Sequence, residues 1–111
     1  MFPDSALTCD GFLGGALSIW QPRDGYRAAM DPVLLAAAVP ARAGETVLEL
    51  GCGAGVASLC LAYRVPGLVS AGIERQADYA DLARRNAAAN DLAFDVTEGD
   101  IARMPAGLRA L

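Results

Sequence analysis

Histidine and lysine are both absent from this chain, and each absence removes a class of chemistry. Without histidine the commonest metal ligand and the commonest general base are gone, and no imidazole-based triad can be built. Without lysine there is no phosphate-binding loop of the Walker type, and all nine basic residues are arginine. Cysteine is scarce too: Cys9, Cys52 and Cys60 are an odd number with no C-x-x-C spacing, against a disulfide framework or a zinc site, so no metal is expected. No apolar run is long enough to cross a bilayer, and the start, MFPDSALTCDGF, lacks a basic segment followed by a long apolar one. The expectation is a cytoplasmic protein with no membrane partner. Thirteen carboxylates against nine arginines leave a net charge of −4 and no basic stripe, so the chain by itself does not read as a nucleic-acid binder. Arg23 reads as a solvated charge.

What is present is a largely apolar chain of 111 residues, enough for one small domain with a modest core. Its first 45 residues have a different texture from the rest, rich in glycine and proline. FLGGALSIWQP predicts a hairpin, with Gly14 and Gly15 supplying positive φ and Leu17 and Ile19 alternating with Ser18 and Trp20. Asp31 predicts an N-cap with Pro32 at the first helical position, opening a short apolar helix that stops before Pro40. From Thr46 onward strand and helix alternate, the pattern of a parallel sheet with crossover helices. TVLEL is expected as a buried strand. A helix over 55–64 follows, with Val56, Leu59, Cys60 and Tyr63 at i, i+3, i+4 and i+7. LVSAGIE is a second strand, and a second helix runs over 76–89 with Asn90 as a left-handed C-terminal cap. FDVTE is a third strand, with Phe94 and Val96 on one face.

The chemistry concentrates at residues 47–62, VLELGCGAGVASLCLA. A strand, a glycine turn and a helix N-terminus form a general anion- and nucleoside-binding device. The dinucleotide fingerprint G-x-G-x-x-G requires a sixth-position glycine, and that position is Val56; the turn is Gly51-x-Gly53-x-Gly55. Glu49, two residues before the first glycine, would repel a phosphate and attract an ammonium group. Glu74, at the end of the second strand, stands where an acidic residue accepts ribose hydroxyls. Cys52 lies inside the turn, where a helix N-terminus lowers a thiol pKa, but its backbone N–H is the expected contributor.

The E-x-G-x-G-x-G stretch over Glu49, Gly51, Gly53 and Gly55 resembles motif I of Rossmann-like, class I S-adenosylmethionine-dependent methyltransferases. QPRDGYRAAMDPVLLAAAVP ahead of it resembles the bacterial enzymes that methylate exocyclic amines, especially the tRNA adenine-N6 group. The resemblance covers residues 11–105 and implies S-adenosylmethionine as cofactor, held by Glu49, Gly51, Cys52, Gly53, Gly55, Glu74 and Arg75. It implies that Asp100, in EGDI, receives the adenine amino group with Ile101 packing the ring, and that Tyr26, Arg27 and Asp31 lie over the methionine end. The implied fold is α/β: three parallel strands of a methyltransferase sheet with crossover helices, after an N-terminal hairpin and short helix. Residues 1–45 would cover the cofactor site, and residues 46–111 would form the first half of the cofactor domain.

The family's catalytic N-P-P-Y follows its fourth strand, and no asparagine-proline pair occurs here. The expectation is therefore a cofactor-binding portion with no catalytic residue of its own, inactive alone, within a parent enzyme that methylates an amine in tRNA. Protein glutamine, rRNA guanine, a non-catalytic binding fragment and an NAD-type oxidoreductase half are the alternatives. In the family's strand order the first strand neighbours the second and fourth, so residues 46–50 become an edge through which the chain is expected to pair or form a homodimer, unless the N-terminal hairpin folds over it.

Overall fold

The computed structural model describes residues 1–25, 28, 30–104 and 107. Strands β1 (Leu7–Phe12) and β2 (Leu17–Pro22) form an antiparallel hairpin with Leu7 opposite Pro22 and Phe12 opposite Leu17. Gly14 and Gly15 adopt φ of 66° and 89° in its turn, as their sequence predicts. Leu17 and Ile19 point inward while Ser18 is exposed. The first strand of the hairpin lies almost wholly ahead of the FLGGALSIWQP stretch, in a mixed sequence, LTCDGF, that carries no clean alternation.

Helix α1 (Asp31–Ala38) follows, then β3 (Thr46–Leu50), α2 (Val56–Arg64), β4 (Val69–Glu74), α3 (Ala77–Ala89) and β5 (Asp95–Glu98). The three later strands form one parallel sheet in the order β3-β4-β5, with α2 and α3 as the connecting helices. The fold is thus α/β, a three-stranded parallel sheet with crossover helices preceded by an antiparallel hairpin and a short helix. Central β4 is buried from Ser70 to Ile73. The core joins Leu59 of α2 and Ala83 of α3 to Leu17 and Ile19 of the hairpin, Phe94 and Val96.

Four local expectations are corrected. β3 is not a buried strand: Thr46 and Leu50 are exposed and the residues between them half-buried, because it pairs with β4 alone and stands at the sheet's edge. Asp31 is not the N-cap of α1; Met30 is, and Asp31 lies within the first turn. The apolar face of α2 ends before Tyr63, which is 49% exposed, and every residue from Val56 to Leu61 is buried instead. Asn90 has φ of −105°, and the left-handed residue after α3 is Asp91, at φ 55°. Asn90 is held out of the left-handed region while its side chain bonds Ser18 of the hairpin.

The hairpin packs against α3, and α1 packs against α2. Arg64 fastens the latter pair by donating from Nη2 to the carbonyls of Ala36 and Val39, at 3.1 and 2.6 Å, which satisfies the end of α1.

Candidate functional site

The carboxyl ends of β3 and β4 and the turn between β3 and α2 form the floor of a cleft of about 720 Å³. Open α/β sheets place ligands at this end of their strands. Gln21 of β2 and Asp31, Pro32 and Leu35 of α1 form one wall, and Gln76 and Tyr79 stand at the start of α3.

The turn is tight. Gly51 and Cys52 both donate from their backbone N–H to the Ile73 carbonyl, at 2.8 and 3.1 Å, and Gly55 donates to the Cys52 carbonyl at 2.9 Å. Gly51, Gly53 and Gly55 have φ of 72°, 55° and 90°, a region that only glycine occupies at little cost. The three differ in what they face. A Cβ on Gly51 or Gly53 would meet nothing within 4 Å, so both open onto the cleft. A Cβ on Gly55 would lie 3.2 Å from Cε2 of Phe94 and 3.4 Å from Ala83, so this glycine serves packing and lies outside the cleft lining.

Two carboxylates flank the turn. Glu49 accepts from the Ser58 hydroxyl at 2.6 Å through Oε1. Burial pushes its carboxyl above the usual range, Glu74 pushes the same way, and the bonds from Ser58 oppose both. Glu74 accepts from Gly53 N through Oε1 and from Gln76 N through Oε2, both at 2.9 Å. An ionised carboxylate offers about four lone-pair sites, so each group keeps acceptor capacity toward the cleft. Cys52 is buried, and its thiol is pushed up to about 12, first by burial and then by Glu49 and Glu74. The helix N-terminus does not activate it.

Of the residues expected at the site, Glu49, Gly51, Cys52, Gly53, Glu74 and Asp31 line the cleft together. Arg75 is exposed and outside the lining. Asp100 and Ile101 are also outside it: Asp100 accepts from Ala102 N at 3.0 Å as the cap of a short 3-10 turn, and Ile101 is half exposed. Tyr26 and Arg27 lie outside the described residues. Among the described residues no group of His, Cys, Asp and Glu could hold a metal ion. No described helix is long and apolar enough to cross a membrane.

Sequence reasoning missed Gln21, Ser58 and Tyr79. Gln21 was legible as a polar residue in register with Leu17 and Ile19. It is 3% exposed and accepts from Ala28 N at 2.6 Å. Ser58 is a polar residue inside a buried apolar run. Tyr79 shares helical spacing with Leu82, Ala83 and Asn86.

A family model described as "Methyltransferase small domain" matches residues 29–107. Over 79 residues the chain is 34% identical to a tRNA1(Val) (adenine(37)-N6)-methyltransferase of Yersinia enterocolitica, covering 70% of this chain and 32% of that protein. The chain thus spans about a third of the length of the curated relative it matches. Among solved structures, it is similar to a SAM-dependent methyltransferase from Thiobacillus denitrificans in complex with S-adenosyl-L-homocysteine. The TM-score is 0.57 and the identity 33%, over 64% of this chain and 29% of that one. It shares its fold with the Pyrococcus abyssi tRNA (uracil-54, C5)-methyltransferase, at a TM-score of 0.70 and 17% identity, over 91% of this chain and 25% of that one. The match over residues 29–107 takes in α1, the glycine turn and both flanking carboxylates, and the chain belongs to the methyltransferase small domain family.

Proposed function

We propose that this chain is the S-adenosylmethionine-binding portion of an N-methyltransferase acting on an exocyclic amine, the N6 of adenine in tRNA. The observation that carries the cofactor is the open space over Gly51 and Gly53 between two carboxylates of different environment. Glu49 would pair with the ammonium of the methionine moiety, the free faces of Gly51 and Gly53 would allow close backbone approach, and Glu74 would accept the ribose hydroxyls. Asp31 would stand at the methionine end from α1. A phosphate-bearing dinucleotide fits poorly, since Glu49 lies in the floor and, among the described residues, no arginine lines the cleft.

Bound there, the cofactor supplies an electrophilic methyl group. This chain's own residues bind and orient it; none is assigned a proton transfer, and catalysis in the complete protein would rest on positioning the amine. Asp100 and Ile101, carried by the family resemblance, would receive the adenine. Their turn follows Gly99, whose N–H donates to the Glu74 carbonyl at 2.9 Å, so it begins beside the end of β4. Arg75, Tyr26 and Arg27 are proposed on the resemblance alone. Residues 1–45 would then serve as the cover and 46–111 as the first half of the cofactor domain, in a cytoplasmic enzyme whose other portion brings the RNA.

The adenine acceptor is favoured by the Yersinia relative. Isothermal titration of the full-length protein with S-adenosylhomocysteine should give one saturable site, and no heat or thermal shift would overturn the cofactor. Methyl transfer to an unmodified tRNA transcript tests the acceptor. Transfer to a glutamine-bearing protein instead would replace it.

A further inference from the structure

Ser58 stands behind the cleft: it is buried, does not line the cavity, and its hydroxyl donates to Glu49 Oε1 at 2.6 Å. A helical serine ordinarily returns its hydroxyl to the carbonyl four residues earlier. Here that carbonyl, on Ala54, already accepts from Asn86 Nδ2 at 3.0 Å. The hydroxyl is turned to the neighbouring strand instead. Helix α2 also starts without a side-chain cap, because its N-cap is Gly55. Glu49 therefore sits where the first-turn amides and dipole of α2 favour negative charge, and a Ser58 backbone bond adds to the hydroxyl's.

We infer that Ser58 is a positioning residue for the ligand of this cleft, acting through Glu49: its hydroxyl fixes one carboxylate oxygen so that the other is presented to a cationic group. The inference rests on the reading of Glu49 as the partner of the cofactor's ammonium. The alternative, a serine that only packs, is the weaker one. Alanine has the higher helix propensity and hides no hydroxyl, so it would suit a buried helical position better unless the hydroxyl bond matters. The other titratable groups around the cleft do not take over this role. Among the described residues, Glu74 from β4 and Asp31 from α1 carry the same sign as Glu49, the Cys52 thiol stays neutral, and Tyr79 lines the cleft from α3, whereas the hydroxyl that bonds Glu49 is that of Ser58.

The test compares two nucleosides by titration across pH: S-adenosylhomocysteine, which carries the amino-acid end, and 5′-methylthioadenosine, which lacks it. In the full-length protein S-adenosylhomocysteine should bind more tightly as pH rises through the Glu49 ionisation, while methylthioadenosine stays flat. Ser58→Ala should move the S-adenosylhomocysteine profile to higher pH and weaken binding about tenfold on its acid side, the loss of one charge-assisted bond. Its methylthioadenosine affinity should not change, which also shows that the variant is folded. Ser58→Thr, which keeps the hydroxyl, should restore the profile. A Ser58→Ala profile that superimposes on the unmodified protein, or equal weakening of both nucleosides, overturns the inference. Glu49→Gln separates the two levels: if it fails to flatten the S-adenosylhomocysteine profile, the ammonium assignment itself falls. If it flattens the profile and Ser58→Ala does nothing, only the role of Ser58 falls.

Discussion

The side-chain amide of Asn86 takes both backbone polar groups of Trp20: Oδ1 accepts from Trp20 N at 2.8 Å, and Nδ2 donates to Trp20 O at 3.0 Å. Asn90 repeats the arrangement on Ser18, at 2.9 and 2.8 Å. Four helical residues rise about 6 Å and two strand residues about 6.6 Å, so two asparagines one turn apart match alternate residues of β2. They stand in for a neighbouring strand along the hairpin's outer edge. Asn86 reaches Ala54 as well, joining hairpin, α3 and glycine turn at one side chain.

The two asparagines should differ in weight. Asn86 is fully buried, so Asn86→Ala strands the Trp20 and Ala54 groups without water and should cost about 2–4 kcal/mol. Asn90 is only partly buried, and Asn90→Ala should cost about 0.5–1 kcal/mol because water replaces the lost partner. Urea unfolding measures both. Equal losses would show that the buried position of Asn86 adds nothing.

Glu49 should leave a mark on stability against pH. Its carboxyl titrates higher in the fold than in the unfolded chain because burial disfavours the charge. A group raised in this way contributes stability that is fully present below its unfolded value and is lost as pH rises through its folded value. Glu49→Gln should therefore flatten stability across that window and be relatively more stable on its alkaline side. A cofactor-free thermal-unfolding series from acid to neutral pH decides it. An unchanged slope would mean that Glu49 is solvated.

Two glycines should fail in different ways. A Cβ on Gly72 would lie 2.7 Å from Cζ of Phe94 and 3.1 Å from Cys52, so Gly72→Ala should lose about 1–3 kcal/mol through overpacking. Phe94→Leu should recover part of that loss. Gly51→Ala meets no atom but strains a backbone at φ 72°, costing about 1–2 kcal/mol, and it places a methyl in the cleft. Gly51→Ala should weaken S-adenosylhomocysteine more than Gly72→Ala does, as titration of the two folded variants will report. The reverse order would remove Gly51 from the ligand surface.

Cys52 should be inert. Its thiol is pushed up to about 12 and Cys60 is raised by burial, whereas Cys9 is exposed. A disulfide reagent at mild alkaline pH should modify Cys9 rapidly and the other two only after unfolding. Cys52→Ala should change cofactor affinity by less than about tenfold, roughly 1.4 kcal/mol. Fast modification of two thiols in the native protein would contradict the burial.

The strand and helix order from Thr46 to Glu98 was legible because apolar periodicity and turn residues act locally. Glu49 and Glu74 were legible because strand ends are fixed by the same pattern. What the chain did not disclose depends on distant partners. Asn90 has the right residue type for a left-handed cap, yet its amide bonds Ser18, 72 positions away, and Asp91 takes the unusual backbone. Tyr63 fits the helical stripe, but it is half exposed while every residue from Val56 to Leu61 is buried. Ser58 and Gln21 read as polar interruptions until the fold sets Glu49 and Ala28 against them. Asp100 illustrates the converse: its side chain is engaged in a local cap, and the cleft is lined without it.

The asparagine seat of the hairpin has a consequence for biosynthesis. Ser18 must wait for Asn90, 72 positions later, before its outer edge is satisfied. At roughly 5–20 residues per second the ribosome leaves that interval open for roughly 4–14 seconds. An isolated two-stranded hairpin is marginal in water, so the nascent N-terminus spends those seconds as a sticky, half-formed ribbon. Stable seating of the hairpin is therefore expected only after α3 has been synthesised.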